Sequence, residues 1–157
     1  MATGQTYRQN SSEAFETVVQ INRISKKTKG GNQMRFSALV VVGDGDGRVG
    51  AALAKAKDVR SAVQKAMGHA KRHMVEVPIK GKTVPFEVEE KYNAARVLLK
   101  PAPRGSGIIA GGPMRVVLVA AGYKDAVGKI LGTNNKVSNV YATIKALETM
   151  SRMADRK

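Results

Sequence analysis

The sequence predicts an α+β fold in two small units, and three observations lead there. A first set of β-branched runs is followed by one long amphipathic helix pattern; a second set of strand and helix patterns follows Pro78; and Gly, Asp and Pro clusters separate the elements. With 157 residues and 43% hydrophobic content, the chain is able to bury a core.

Residues 1–12 are polar and aperiodic, the pattern of a flexible tail. From Phe15 to Ile24 apolar residues alternate loosely, as in a strand with one buried face, and Ser25 to Asn32 then reads as a loop. Phe36 to Val42 is a β-branched strand that runs into Gly43-Asp44-Gly45-Asp46-Gly47, and Arg48 to Ala54 resumes the pattern. Asp-Gly supplies the positive φ angles of a tight turn, so the pair reads as a hairpin. Asp58 is the N-cap of a helix of about four turns, with Val59, Ala62, Val63, Ala66, Met67, Ala70 and Met74 on one face.

Pro78 and the Gly81-Lys82 turn place the boundary between units, 13–78 and 79–157. Thr83 to Glu89 and Ala95 to Leu99 read as strands, and Pro101 to Gly107 as a loop. Met114 to Ala121 fits a buried helix or a strand, and Gly122 as its C′ glycine favours the helix. Ala126 to Leu131 gives another strand. Val140, Ile144, Leu147 and Met150 mark a last helix starting near Ser138.

Lys and Arg number 27 against 12 acids, a formal charge of +15 that calls for a polyanionic partner. No apolar run reaches the ~18 residues of a membrane span and no signal-peptide pattern opens the chain, so a cytoplasmic location is expected. The absence of cysteine removes thiolate zinc sites. Aromatics are only 4% of residues and Trp is absent, which disfavours single-strand stacking platforms and favours recognition through shape and phosphate.

The enzyme-like motifs fail on their surroundings. Gly45-x-Gly47-x-x-Gly50 matches a dinucleotide fingerprint by letter, but strand residues follow it where a helix is required. Read as a calcium loop from Asp44, it puts Val49 at the glycine position and Lys55 at the bidentate position. Gly81-Lys82-Thr83 and Gly128-Lys129 lack the remainder of a P-loop. His69 and His73 lack the third ligand of a zinc site and read as part of a basic helix face. Glu87 and Glu89 read as an exposed ion-pairing edge. No catalytic residue, metal or cofactor is expected.

The strongest functional signal is the acid-free stretch from Arg23 to Arg35. Arg23, Lys26, Lys27, Lys29 and Arg35 supply charge, and Ser25, Thr28 and Asn32 supply hydrogen bonds. Gly30 and Gly31 open the backbone to phosphate. Ile108 and Ile109, set among the glycines of Arg104 to Gly112, suit a loop that faces a partner.

On these residues the chain resembles the fifth protein of the bacterial small ribosomal subunit. Gly31 to Gly50 is similar to that family's hairpin signature, Lys55 to Met67 to the helix after it, Gly105 to Arg115 to a second signature, and Asn139 to Met150 to the terminal helix. The resemblance implies a double-stranded-RNA-binding-like first unit of three strands and one helix, then an α/β sandwich with a left-handed crossover. It implies contact with small-subunit ribosomal RNA near the decoding region, with mRNA at the channel through which it enters, and with the fourth and eighth small-subunit proteins. Support of subunit assembly and tuning of decoding accuracy follow from it, as does proximity of the Arg23 to Gly31 segment to the spectinomycin site. The expected RNA contacts are Arg23, Ser25, Lys26, Lys27, Thr28, Lys29, Gly30, Gly31, Asn32, Arg35, Arg48, Lys55, Lys57, Arg104 and Ser106. The expected protein interface is Ile109, Gly111, Gly112 and Arg115. Two stretches depart from the family pattern: Ala51-Ala52-Leu53-Ala54, where Phe-Gly-x-Gly is common, and Thr133 to Asn139, which lacks a proline. A free-standing duplex-binding module is the competing reading.

Overall fold

The computed structural model describes residues 15–156, so the polar segment 1–12 lies outside the described residues. The first sheet is an antiparallel meander of β1 (Phe15–Thr28), β2 (Gly31–Gly43) and β3 (Arg48–Ala56), followed by helix α1 (Val59–Arg72). A fourth strand, β4 (Val75–Glu76), pairs with Arg48 and Val49 as the chain leaves α1, giving the order β1-β2-β3-β4. Three strands were expected, and two paired residues are too few to leave a periodic signal. Asp58 caps α1, its Oδ1 accepting the Ser61 amide at 3.0 Å, and the hydrogen bonds from Ser61 hold this carboxyl below its ordinary range. Ala62, Ala66 and Ala70 are fully buried at a spacing of four, small enough to seat the helix close against the sheet.

The second sheet contains β5 (Val88–Tyr92), β6 (Ala95–Pro101), β7 (Ile108–Ile109) and β8 (Ala126–Leu131) in the order β5-β6-β8-β7. Helix α2 (Gly112–Ala121) carries the chain from β7 to its parallel neighbour β8, and α3 (Lys136–Ala154) follows. The strand expected at Thr83 to Glu89 starts only at Val88. Thr83 instead closes a tight turn with Lys80, and Pro85, lacking an N–H, cannot support a ladder there. The glycine loop contains the short strand β7, which had not been expected. Asn135 rather than a residue near Ser138 starts α3: its Oδ1 accepts the Val137 amide at 3.1 Å, while the Asn135 amide donates to Thr133 Oγ1. The divergent Thr133 to Asn139 stretch is therefore a helix-capping segment.

Strand β2 is the centre of the molecule. From Ser37 to Gly43 it is buried on both faces: Val40 and Val42 meet the Ala66 and Ala70 face of α1, while Leu39 and Val41 join a cluster with Leu118 of α2 and Leu147 of α3. That second cluster also contains Val97 and Leu99 of β6, so one apolar core reaches both sheets. A register shift between Val18 and Gln20 puts Val18 and Ile21 on the α1 side together, although they stand an odd three positions apart.

The Asp-Gly turn between β2 and β3 docks on the end of α2. Gly45 and Gly47 donate their amides to the Ala120 and Ala121 carbonyls at 3.1 and 2.8 Å, satisfying two acceptors that a helix C-terminus leaves open. The approach is close: a Cβ on Gly43 would stand 2.0 Å from Ala120 O, and one on Gly122, whose φ is +102°, would stand 2.3 Å from Gly45 O. Asp44 is consumed within the turn, its Oδ1 accepting the Asp46 and Arg48 amides. The motif that mimics a dinucleotide fingerprint is thus the joint between the two halves of the fold.

Candidate nucleic-acid interface

The basic stretch read as a loop is a β-ribbon. Pairing of β1 with β2 continues without a break from Arg23↔Phe36 to Thr28↔Gly31, and only Lys29 and Gly30 form the turn. Thr28 Oγ1 donates to the Gly31 carbonyl at 2.8 Å, and Gly31 takes φ +123°, a region side chains avoid. The loop reading failed because strand assignment from sequence leans on alternating burial, and here neither face is buried. Ser25 to Arg35 are all exposed, whereas the same two strands are covered by helices further in. At about 3.3 Å per residue, Arg23 to Thr28 extend the arm by about 20 Å.

Directly paired residues share a face, so the register sorts the charges. Arg23 and Lys27 lie with Met34 and Asn32 on the side that continues toward α1; the Arg23 guanidinium donates to Met34 Sδ at 2.9 Å. Lys26 and Arg35 lie on the opposite side with Gln33, and Lys29 stands at the tip. Cations therefore surround the arm. The four ion pairs among the described residues are Lys71–Glu16, Arg96–Glu89, Lys145–Glu90 and Arg152–Glu148, none of which neutralises it. Lys55, paired with Ser37, and Lys57 add charge at the base.

Other expected contacts lie elsewhere. Arg48 sits at the far end of β3 from Lys55, about 23 Å along the strand, where it pairs with Glu76. Arg104 and Ser106 belong to the exposed loop between β6 and β7. Ile109, Gly111, Gly112 and Arg115 do come together around the start of α2: Ile109 is 60% exposed, Gly111 is the N-cap, and the Arg115 amide donates to the Gly111 carbonyl. A Cβ on Gly111 would stand 2.6 Å from Ile130 Cδ1, so this glycine also lets α2 start against β8.

Comparison with known families matches residues 15–78 to the N-terminal domain of ribosomal protein S5 and residues 90–156 to its C-terminal domain. The two matches follow in order and span most of the chain. The chain belongs to the ribosomal protein S5 family. It is accordingly a structural protein of the small ribosomal subunit that binds ribosomal RNA, in a family of structural rather than enzymatic components.

No group of three or more His, Cys, Asp or Glu capable of holding a metal occurs among the described residues, and no described helix is long and apolar enough to cross a membrane. His69 and His73 lie in and just beyond the last turn of α1 beside Lys71 and Arg72. Glu89 pairs across the strands with Arg96, and Glu90 accepts the Thr149 hydroxyl at 3.0 Å, so these carboxylates are tied into structure. Glu87 lies outside β5, and the strand face on which it was expected to join Glu89 does not form. Sequence reading missed Lys80 and Lys82, which the fold brings to the same cavity as Arg104. The signal available was two cations flanking Gly81, but their meeting with a loop more than 20 residues away is tertiary.

Proposed function

We propose that the β1–β2 arm carries this protein's principal contact with small-subunit ribosomal RNA, inserting between phosphate strands near the decoding region. The observation that supports the reading is the arrangement of charge: cations that no ion pair among the described residues neutralises, on both faces and at the tip of an arm whose residues from Ser25 to Arg35 are all exposed. Phosphate contacts of this kind position a protein without reading sequence, and folded RNA supplies phosphate on both sides of a thin ribbon. Arg23, Ser25, Lys26, Lys27, Thr28, Lys29, Gly30, Gly31, Asn32 and Arg35 serve the arm, with Lys55 and Lys57 at its base. Arg48, Arg104 and Ser106 contact RNA separately.

The patch of Ile109, Gly111, Gly112 and Arg115 is the surface for the neighbouring fourth protein, and the eighth protein and incoming mRNA lie on other faces. Through these contacts the protein supports assembly and tunes accuracy, with its arm tip close to the spectinomycin site, in cytoplasmic ribosomes. The test is reconstitution of small subunits with wild-type chain or a Lys26→Ala, Lys27→Ala, Lys29→Ala variant, followed by gradient sedimentation at rising salt. The variant should dissociate at lower salt than the wild type. Equal retention overturns the arm assignment, and failure of the wild type to sediment with subunits leaves a free-standing duplex-binding module.

A further inference from the structure

A cavity of about 440 Å³ lies where the turn after Pro78 meets the loop after β6. Three cations, Lys80, Lys82 and Arg104, line it, together with Gly81, Thr83, Ala102 and Asp125. The walls are tied by backbone bonds. Lys80 and Thr83 exchange N–H···O bonds at 3.0 and 3.2 Å, and the Lys82 carbonyl accepts the amides of both Lys124 and Asp125. Thr83 Oγ1 accepts the Ala102 amide at 3.1 Å, and Asp125 Oδ1 accepts the Gly107 amide at 2.9 Å. Tyr123, next to Lys124 and Asp125 in the link between α2 and β8, donates its hydroxyl to the Pro78 carbonyl and ties that link to the turn.

The composition of this cavity narrows its ligand. None of its cations has an ion-pair partner among the described residues, so negative charge is called for. Asp125 is nearly buried and shares the space, which penalises a simple anion but welcomes a hydroxyl donor, because a carboxylate holding one backbone amide keeps further lone pairs. A phosphate carried next to a hydroxyl satisfies both demands. RNA supplies this pairing at every residue, while DNA lacks the 2′-hydroxyl. The volume falls within the range of small-ligand sites.

We propose that this cavity takes one phosphate–ribose unit of an RNA strand, the phosphate on Lys80, Lys82 and Arg104 and the 2′-hydroxyl donating to Asp125. The inference rests on the RNA-binding reading of the chain but not on the arm. It makes the second half of the molecule an independent, sugar-discriminating RNA contact.

The experiment follows the backbone amide signals of Gly81, Lys82 and Gly107 in the full chain by NMR. The probes are an unstructured RNA oligonucleotide, its all-2′-deoxy counterpart, a nucleoside 5′-monophosphate and inorganic phosphate. Those signals should titrate with the RNA roughly tenfold more tightly than with the deoxy strand, the preference one hydrogen bond to a charged acceptor supplies. A Lys80→Gln, Lys82→Gln, Arg104→Gln variant should lose the response while signals at Lys27 and Gly30 still shift. Asp125→Asn should level the two strands; should that variant fail to fold, the wild-type comparison of RNA with deoxy strand decides the same point. Equal response to RNA and DNA, or a response surviving the triple substitution, overturns the proposal. Saturation by the monophosphate or by phosphate alone as tight as by RNA overturns the assignment to a strand and makes the ligand a free anion. Loss of the Lys27 and Gly30 shifts alone would count against the arm and leave the cavity standing.

Discussion

The inner and outer halves of the β1–β2 ribbon share a ladder and differ in everything else. Inside, Ser37 to Gly43 are buried on both faces between α1 on one side and α2 and α3 on the other; outside, Gly31 to Arg35 are exposed, and no ion pair among the described residues neutralises their charge or that of their partners on β1. A two-stranded ribbon alone is marginal in water, so the inner half templates the outer one, which grows from an already formed sheet edge. The division separates stability from binding along a single pair of strands. Residues that hold the fold are out of reach of a partner, and residues offered to a partner contribute little to the fold.

The largest effect should come from opening the inner half. Leu39→Ala removes a fully buried side chain from the core reaching both sheets and should cost about 3 kcal/mol of unfolding free energy, read from urea denaturation. RNA affinity per folded molecule should stay the same; a matching loss of affinity would break the separation. The converse substitution, Lys26→Ala with Lys27→Ala and Lys29→Ala, should lower RNA affinity on the order of 10- to 100-fold and flatten its salt dependence by about three phosphate contacts. Its unfolding free energy should move by less than about 0.5 kcal/mol, since exposed positions away from special backbone features change stability little.

Between these extremes, Gly31→Ala probes the arm's own rigidity. At φ +123° an added Cβ is strained by roughly 1 kcal/mol or more, and open space around the site means no clash accompanies it. Amide exchange should accelerate at Asn32 and Thr28 while β2 residues from Leu39 to Val42 exchange as before. Acceleration in the inner half would mean that the two halves open as one.

Titration gives the finest comparison, within the body of the fold. Burial pushes the Tyr123 phenol well above its ordinary value of 10.0. The folded state then holds a proton that the unfolded chain releases, so this contribution is complete below pH 10 and is lost as pH rises through and beyond that value. Tyr123→Phe should flatten stability at alkaline pH, measured by melting between pH 9 and about 11. Asp58 runs the other way: hydrogen bonds from Ser61 depress its pKa, so its contribution is present above the ordinary value of 3.8 and disappears as pH falls through the depressed folded value. Asp58→Ala should reduce acid sensitivity slightly, and an unchanged acid profile would remove the cap from the account.

Local chemistry was legible wherever burial or turn geometry imposed a period. The hairpin at Asp44 to Gly47, the Asp58 cap, the Ala62-Ala66-Ala70 face and the Gly122 C′ position could all be read because each is decided within a few residues. The charge of Arg23 to Arg35 was equally plain, but its form was not: a ribbon solvated on both sides lacks the alternation that distinguishes strand from loop. Likewise β4 and β7, two residues each, leave too short a trace to register.

By itself, then, the sequence determined an α+β chain built to meet a polyanion, because charge balance and short-range periodicity are properties of the string. Tertiary structure alone decided that the glycine-rich turn caps α2, that β2 is covered on both faces, and that Lys80, Lys82, Arg104 and Asp125 share one cavity. Each of these depends on groups dozens of residues apart reaching the same place, and that proximity is set by packing two sheets and three helices around two apolar clusters that meet at β2.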